Sequence, residues 1–234
     1  MKKTYILKPR IRITMPSRIV RFLRGDQRDT QNRCIKDMHD MPDWKIERTH
    51  DIIQWMFPTD IPSKHQPDAP VLTAEDIEAI KKDEHIKAII QLSLTRMILY
   101  YEKDNYWITQ KNHNFLRLTR ILRCLWLVGL KHDYVCLQKA LDEVFIDYPD
   151  IIGEETYLYW KNANNDEFMK NPKPETIGCY PPAPVRVTDD PELDELRAKL
   201  EFQGILPMVY GPRQQQQAII DHHDDYYDNW RNDI

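Results

Sequence analysis

The fold is best predicted from one ten-residue segment, Thr49-His50-Asp51-Ile52-Ile53-Gln54-Trp55-Met56-Phe57-Pro58. It places a histidine, a tryptophan and a phenylalanine on one short amphipathic segment, which ends at Pro58 because proline does not continue a helix. A second block, His113-Asn114-Phe115-Leu116-Arg117-Leu118-Thr119-Arg120-Ile121-Leu122, lies about two helices downstream. We expect Ile53, Trp55 and Phe57 to anchor a core, since large aromatic side chains bury the most apolar area.

The composition favours a helix-rich domain. Glycine is scarce, with 6 residues in 234, whereas an all-β domain needs many turns. No stretch reaches the roughly 18 apolar residues that a membrane span requires. Tyr5-Ile6-Leu7 is too short for the apolar core of a signal peptide, which takes about 7–15 residues. We therefore expect an intracellular protein with no transmembrane span.

Charge and proline content divide the chain into three parts. These are a basic N-terminal arm at residues 1–19, a helical domain at 20–169 and a proline-rich, acidic, partly helical C-terminal extension at 170–234. Residues 1–24 carry eight Lys and Arg and no carboxylate. Because Arg10-Ile11-Arg12-Ile13 alternates between two prolines, the arm is predicted to be extended. Within the domain, an all-α fold of about six to seven helices is predicted.

Local signals predict where the first helices begin. Met41-Pro42-Asp43 is expected to divide residues 34–57 into two short helices. Thr73 is placed as an N-cap, and Asp76 three residues later is close to a capping box. The long helical run that follows is expected to break near Asp83.

The helix at 112–128 is predicted to be buried between neighbours, because it is apolar on two sides. Leu116 and Leu127 fall nearly opposite its main apolar face. Gly129 is placed to end it in a left-handed cap, and Asp133 to cap the next helix. The main apolar face consists of Phe115, Leu118, Leu122, Leu125 and Trp126.

Five side chains are candidates for binding a ligand. His50 and Trp55 either line a groove or belong to the core. Arg117 and Arg120, one turn apart, would form a three-donor anion site with His113, since guanidinium groups bind carboxylates and phosphates bidentately. The structural alternative is that the arginines pair with internal carboxylates. The carboxylates considered for this pairing are Glu47, Asp51 and Glu102.

Catalytic and metal-binding signatures are missing from the sequence. Its cysteines form no CxxC pair, and its histidines show neither His-x3-His nor HExxH spacing. Cys124 is expected to be buried and therefore inert, even with His132 nearby in the sequence. We expect no catalytic residue, no metal ion and no cofactor.

Four motifs occur together in order along the chain. They are Phe22-Leu23-Arg24-Gly25 with Cys34-Ile35-Lys36-Asp37-Met38, His50 to Pro58, Ala69-Pro70-Val71-Leu72-Thr73, and Asn112 to Leu122 followed by Gly129-Leu130. From about Phe22 to Phe145 the chain resembles the conserved region of the opioid growth factor receptor family. It departs from the family's pattern at Met56, where leucine is common, and in the loop that follows Tyr100-Tyr101. The extension matches nothing in the family.

The resemblance implies a non-catalytic binding domain with receptor activity for a peptide or protein, enkephalin-type in the animal members, and a role in growth regulation. It also implies a cytoplasmic or nuclear and perinuclear location, with peripheral membrane association. The alternative is an enzyme or small-anion sensor built around His113, Arg117 and Arg120. A weaker alternative is contact with nucleic acid or an anionic membrane through residues 1–24. Its candidate residues are Lys8, Arg10, Arg12, Arg18 and Arg21.

Overall fold

The computed structural model describes residues 15–103 and 105–171. Over these residues the chain is helical, and its regular elements are eleven helices. They are α1 (Arg18–Leu23), α2 (Ile35–His39), α3 (Asp43–Arg48), α4 (Ile52–Met56), α5 (Ala74–Lys81), α6 (Glu84–Glu102), α7 (Asn114–Leu127), α8 (Lys131–Asp147), α9 (Pro149–Ile152), α10 (Glu154–Lys161) and α11 (Asp166–Lys170). The all-α prediction is confirmed.

Short helices raise the number of elements above the predicted six to seven. Residues 34–57 form three helices where two were predicted, because Thr49 leaves the helical conformation and ends α3 before α4 begins. The region 149–170 is likewise divided into α9, α10 and α11. The segment 58–72 has no regular element apart from an isolated bridge between Thr59 and Val71.

Several predicted helix boundaries are confirmed. Thr73 Oγ1 accepts the backbone N–H of Asp76 at 3.1 Å, and Asp76 Oδ2 accepts that of Thr73 at 3.0 Å, which completes the capping box of α5. Asp83 separates α5 from α6 and accepts the N–H of Ile86 at 3.2 Å. Gly129, with φ of 84°, lies directly after the C-cap of α7.

Two predictions about α7 and α8 are wrong. Asp133 does not cap α8; the N-cap is Leu130, and Asp133 lies in the first turn, where Gln91 Nε2 donates to it at 3.0 Å. The first turn starts earlier because Leu130 follows Gly129 directly out of the cap of α7. Leu116 is not buried, since its side chain is 61% exposed. The neighbouring helices therefore cover α7 on most sides but leave open the strip that contains Leu116.

The core surrounds α7, which packs against α4, α8 and α10. Ile53, Trp55 and Phe57 are buried in this core, as expected. Trp160 of α10 is fully buried, and its indole N–H donates to the carbonyl of Phe115 at 3.2 Å. The middle of the chain is thus bound to α10 by both apolar contact and a hydrogen bond.

Most of the predicted arm and extension lies outside the described residues. This applies to Lys8, Arg10 and Arg12, which were candidates for nucleic-acid or membrane contact. None of the described helices has the length and apolar character needed to cross a membrane.

Candidate functional site

Three arginines on α7 face the segment 46–60. Arg117, Arg120 and Arg123 are spaced three residues apart, which keeps them on neighbouring positions of one helix face. We call them the arginine row. Arg117 contacts Ile46, Arg120 contacts Phe57 and Arg123 contacts Asp60. The row therefore joins α7 to the end of α3, to the end of α4 and to the loop that follows α4.

Arg117 closes the C-terminal end of α3. Its Nη2 donates to the carbonyls of Ile46 at 3.0 Å, Glu47 at 3.3 Å and Thr49 at 3.3 Å. These carbonyls lie at the C-terminal end of α3, where they carry the negative end of the helix dipole. The carbonyl of Ile46 also accepts the N–H of Thr49 at 3.4 Å. Nη1 donates to Asn114 at 3.2 Å and lies 3.7 Å from the Glu47 carboxylate. Arg117 is buried, and both of its terminal nitrogens donate hydrogen bonds within the protein.

Arg123 was not among the predicted site residues, although it is 1% exposed and the most completely paired member of the row. Its Nε and Nη2 donate to the two carboxylate oxygens of Asp60 at 3.0 and 2.8 Å. Nη2 also lies 2.7 Å from Asp166 of α11. Burial opposes its charge, but the hydrogen bonds from the guanidinium to Asp60 and Asp166 raise the pKa of Arg123 overall. The three-residue spacing that drew attention to Arg117 and Arg120 also identifies Arg123.

Arg120 differs from both. Its Nε donates to the carbonyl of Phe57 at 3.1 Å, just after α4. Its Nη2 is enclosed and has no hydrogen-bond partner, and no described carboxylate lies within ion-pair distance of it. Burial lowers the pKa of Arg120 to about 10, while the nearby thiol of Cys124 has a smaller, opposite effect. The structure therefore holds a largely enclosed cation without a counter-charge.

Glu47 is the centre of a second group of side chains, which we call the Glu47 cluster: Glu47, His50, Tyr100, His113 and Asn114. Glu47 Oε2 accepts hydrogen bonds from the Tyr100 hydroxyl and from Asn114 Nδ2, the latter at 3.3 Å. Its other oxygen, Oε1, lies 3.5 Å from His113 Nε2. Burial alone would raise the pKa of the Glu47 carboxyl, but the bonds from Tyr100 and Asn114 lower it overall. Glu47 is thus a fixed, ionised carboxylate whose side chain is 31% exposed.

The two histidines of the cluster come together in space. The rings of His50 and His113 meet edge to face, with centroids 5.3 Å apart. His50 is exposed and His113 partly exposed. Burial, together with the charge of Arg117, lowers the pKa of His113, so this ring is neutral at pH 7. A half-exposed ring from Tyr106 packs against Tyr100 and adds a further aromatic surface to the cluster.

Trp55 does not belong to the surface of this cluster. It is 2% exposed, and its ring packs edge-on against Phe22 at 4.9 Å. Arg18, a candidate for nucleic-acid contact, places its guanidinium 5.5 Å from the same ring. Arg21, also a candidate, has its Nε enclosed without a partner. The side chains of Arg18 and Arg21 thus lie, at least in part, against the helical domain.

Two of the described thiols, those of Cys124 and Cys136, are poor nucleophiles. Cys124 is fully buried, and this burial raises its pKa to about 12. The thiol beside His132 is that of Cys136, at 3.7 Å from Nε2, and burial raises its pKa to about 11. Neither sulfur is a thiolate at neutral pH, which is the form that covalent catalysis needs. What the site offers chemically is a partly exposed carboxylate, aromatic rings and one uncompensated guanidinium.

Comparison with known proteins identifies relatives for the middle of the chain. The family model of the opioid growth factor receptor (OGFr) conserved region matches residues 30–149. The opioid growth factor receptor of Homo sapiens is 28% identical over 135 residues, which are 47% of this chain and 20% of the human protein. The opioid growth factor receptor of Rattus norvegicus is 28% identical over 115 residues, 42% of this chain and 19% of that protein. The chain thus spans about a fifth of the length of these relatives. No solved structure matches it.

Proposed function

This chain belongs to the opioid growth factor receptor conserved-region family, and from that premise we propose that its helical domain is a non-catalytic module that binds a peptide by its terminal ammonium group at Glu47. The relatives are named as receptors for the opioid growth factor. Enkephalin-type peptides are the probe that this name suggests. On the basis of family membership, we also propose that this binding takes place in the cytoplasm or the nucleus.

The proposal rests on the difference between the two oxygens of the Glu47 carboxylate, of which only Oε2 accepts hydrogen bonds from within the protein. Tyr100 and Asn114 hold Oε2, so the orientation of the group is fixed before any ligand arrives. Oε1 is 3.5 Å from the His113 ring nitrogen, longer than a hydrogen bond, and that ring is neutral at pH 7. A ligand ammonium at Oε1 would form a charge-assisted hydrogen bond, which is shorter and stronger than a neutral one.

Aromatic rings stand next to this carboxylate. The rings of His50 and His113 form an edge-to-face pair. The ring of Tyr106 packs against Tyr100, whose hydroxyl donates to the carboxylate. Aromatic side chains of a ligand gain from such surfaces through edge-to-face contact. A peptide whose first residue is tyrosine, such as Met-enkephalin, carries the ammonium and an aromatic ring on the same residue. Among the predicted ligand residues, His50 and His113 would therefore contact the peptide, and Trp55 would support the core beneath them.

A calorimetric titration of the full chain with Met-enkephalin tests the proposal. We expect saturable binding that weakens by about tenfold or more in Glu47→Gln, since a hydrogen bond to a charged group contributes about 1.5–3 kcal/mol. Glu84→Gln is the matched control, because Glu84 is a carboxylate whose side chain is 84% exposed on α6. It should bind as the unmodified protein does.

A second titration uses only the unmodified chain, so its result does not depend on whether Glu47→Gln folds. N-acetylated Met-enkephalin has no ammonium group and should bind the unmodified chain at least tenfold more weakly than the free peptide. Equal affinity of the two peptides, or no binding of either, would contradict the proposal.

A further inference from the structure

Arg120 is the one member of the arginine row whose charge the described structure leaves uncompensated. Arg117 is balanced by the carbonyls at the end of α3 and by Glu47. Arg123 is balanced by Asp60 and Asp166. Arg120 has one hydrogen bond, to the carbonyl of Phe57, and its Nη2 is enclosed without any partner.

An enclosed guanidinium in this state is unusual, because buried polar groups are almost always hydrogen-bonded, and buried charges are paired. An unsatisfied group of this kind calls for an additional partner. We propose that Arg120 is a binding site for a small carboxylate, which supplies the missing counter-charge.

The geometry of the side chain favours a carboxylate over a single-atom anion. With Nε bonded to Phe57, the two terminal nitrogens are left as a pair. Such a pair matches the two oxygens of a carboxylate in a bidentate arrangement. Because Nη2 is enclosed in the described conformation, a planar oxyanion bonds Nη2 and its neighbour together only once the side chains that enclose Nη2 move aside.

The proposed approach to the site follows the strip of α7 that contains the exposed Leu116. Side chains on a helix lean toward its N-terminus, so the side chain of Arg120 extends over the turn that carries Leu116. Leu116 is 61% exposed, and Arg120 itself is partly exposed. A ligand at Arg120 would thus have its carboxylate on the guanidinium and its apolar part against Leu116.

Two sources of a carboxylate fit this chemistry: a free small carboxylate, or the C-terminus of the peptide that the proposed function places at Glu47. Arg120 lies one helical turn from Arg117, which contacts Glu47. The second source rests on the proposed function, and the first does not. Their tests are therefore kept separate.

Titration of the full chain with sodium acetate, at constant ionic strength maintained with sodium chloride, tests the site directly. We expect the Nε–Hε resonance of Arg120, assigned by its loss in Arg120→Lys, to shift saturably in a nitrogen–proton NMR spectrum. The Tm should rise with acetate in the unmodified protein and in the control Arg48→Gln. Arg48 is an exposed arginine that lies over the ring of Trp44.

The Tm rise should disappear in Arg120→Gln and require at least tenfold more acetate in Arg120→Lys, because an ammonium cannot bind bidentately. If Arg120→Gln fails to fold, the resonance of the unmodified protein still decides. An Arg120 resonance that does not respond to acetate, or an acetate effect that persists in Arg120→Gln, overturns the proposal.

Peptide arms then distinguish the sources. If C-amidated Met-enkephalin binds at least tenfold more weakly than the free acid to the unmodified chain, and equally to Arg120→Lys, the peptide supplies the carboxylate. If acetate binds and the two peptides do not differ, a free carboxylate is the ligand. Failure of every peptide to bind removes the proposed function and leaves the acetate result to stand alone.

Discussion

At the scale of single residues, the role of each arginine on α7 is set by what lies opposite it. Arg117, Arg120 and Arg123 have the same side chain and the same spacing. One closes the end of a helix, one is without a counter-charge and one joins three segments through Asp60 and Asp166. Guanidinium groups suit all three positions because they stay charged and offer several donors in a fixed plane.

The Glu47 cluster predicts how stability depends on pH. The pKa of His113 is lowered, by burial first and then by Arg117, below its ordinary value of 6.5. Between the folded and the unfolded pKa of a lowered histidine, the unfolded chain binds more protons, so stability falls as the pH decreases below about 6.5. The pKa of Glu47 is lowered as well, despite burial, by Tyr100 and Asn114, and adds a second loss below about pH 4.5.

Urea denaturation at intervals from pH 8 to pH 4 measures this dependence. His113→Gln should flatten the part of the curve between pH 6.5 and pH 5 relative to the unmodified protein, since glutamine does not titrate. A variant whose pH curve has the same slope as the unmodified chain in that interval would show that His113 is not the group responsible.

At the scale of elements, helix ends are fixed by short-range hydrogen bonds. The cap after α7 shows this most clearly: the N–H of Gly129 donates to Trp126 at 3.3 Å, and that of Leu130 donates to Leu125 at 2.9 Å. This is the Schellman pattern, and the buried side chains of Leu125 and Leu130 accompany it. The cap ends α7 and starts α8 within a few residues, which sets the angle between these two helices.

Replacing Gly129 tests the cap. Gly129→Ala should destabilise the protein by about 1–2 kcal/mol, because an L-residue at φ of 84° is strained. Crowding adds little, since an added Cβ would lie 3.7 Å from the nearest atom, Lys81 Cγ. Gly129→Asn should cost less, because asparagine tolerates the left-handed region better than alanine. Equal losses in the two variants, measured by urea denaturation, would mean that backbone strain is not the cause.

At the scale of the whole molecule, helices beyond the family match contribute to the same core. The match ends at residue 149, whereas Trp160 and Phe168 are buried at 0% and 5% exposure. Asp166 of α11 lies 2.7 Å from Arg123 in the C-terminal half of α7, and Lys170 lies 3.0 Å from Asp60. We therefore infer that the folding unit extends through α11.

Truncation tests that boundary. A chain that ends at residue 171 should unfold with one cooperative transition and a Tm within a few degrees of the full chain. A chain that ends at residue 149 should lose cooperative unfolding, because removal of Trp160 alone costs as much as a large-to-small core substitution, about 3–5 kcal/mol. Circular dichroism during heating measures both. A cooperative, equally stable chain ending at 149 would show that α10 and α11 only cover a complete domain.

The helical class, the family and the helix ends that depend on neighbouring residues can all be predicted from the sequence. The capping box at Thr73, the break at Asp83 and the cap at Gly129 are all decided within a few residues, so they are visible in the sequence. A local signal gives a wrong prediction where a second signal lies close to it. Asp133 is a suitable N-cap residue, but α8 begins earlier, directly after the turn at Gly129.

The composition of the site, in contrast, follows from how the helices pack. Arg123 and Asp60 are 63 residues apart in the chain, and Glu47 meets Asn114 across 67. Residue spacing within one helix identifies which side chains share a face, but not which carboxylate or carbonyl another helix brings to that face. For this reason Leu116 was predicted to be buried and is exposed, and Arg120 stands without a carboxylate between two arginines that have one. Charge pairing and burial are properties of the packed molecule, because both depend on atoms that are distant in the sequence.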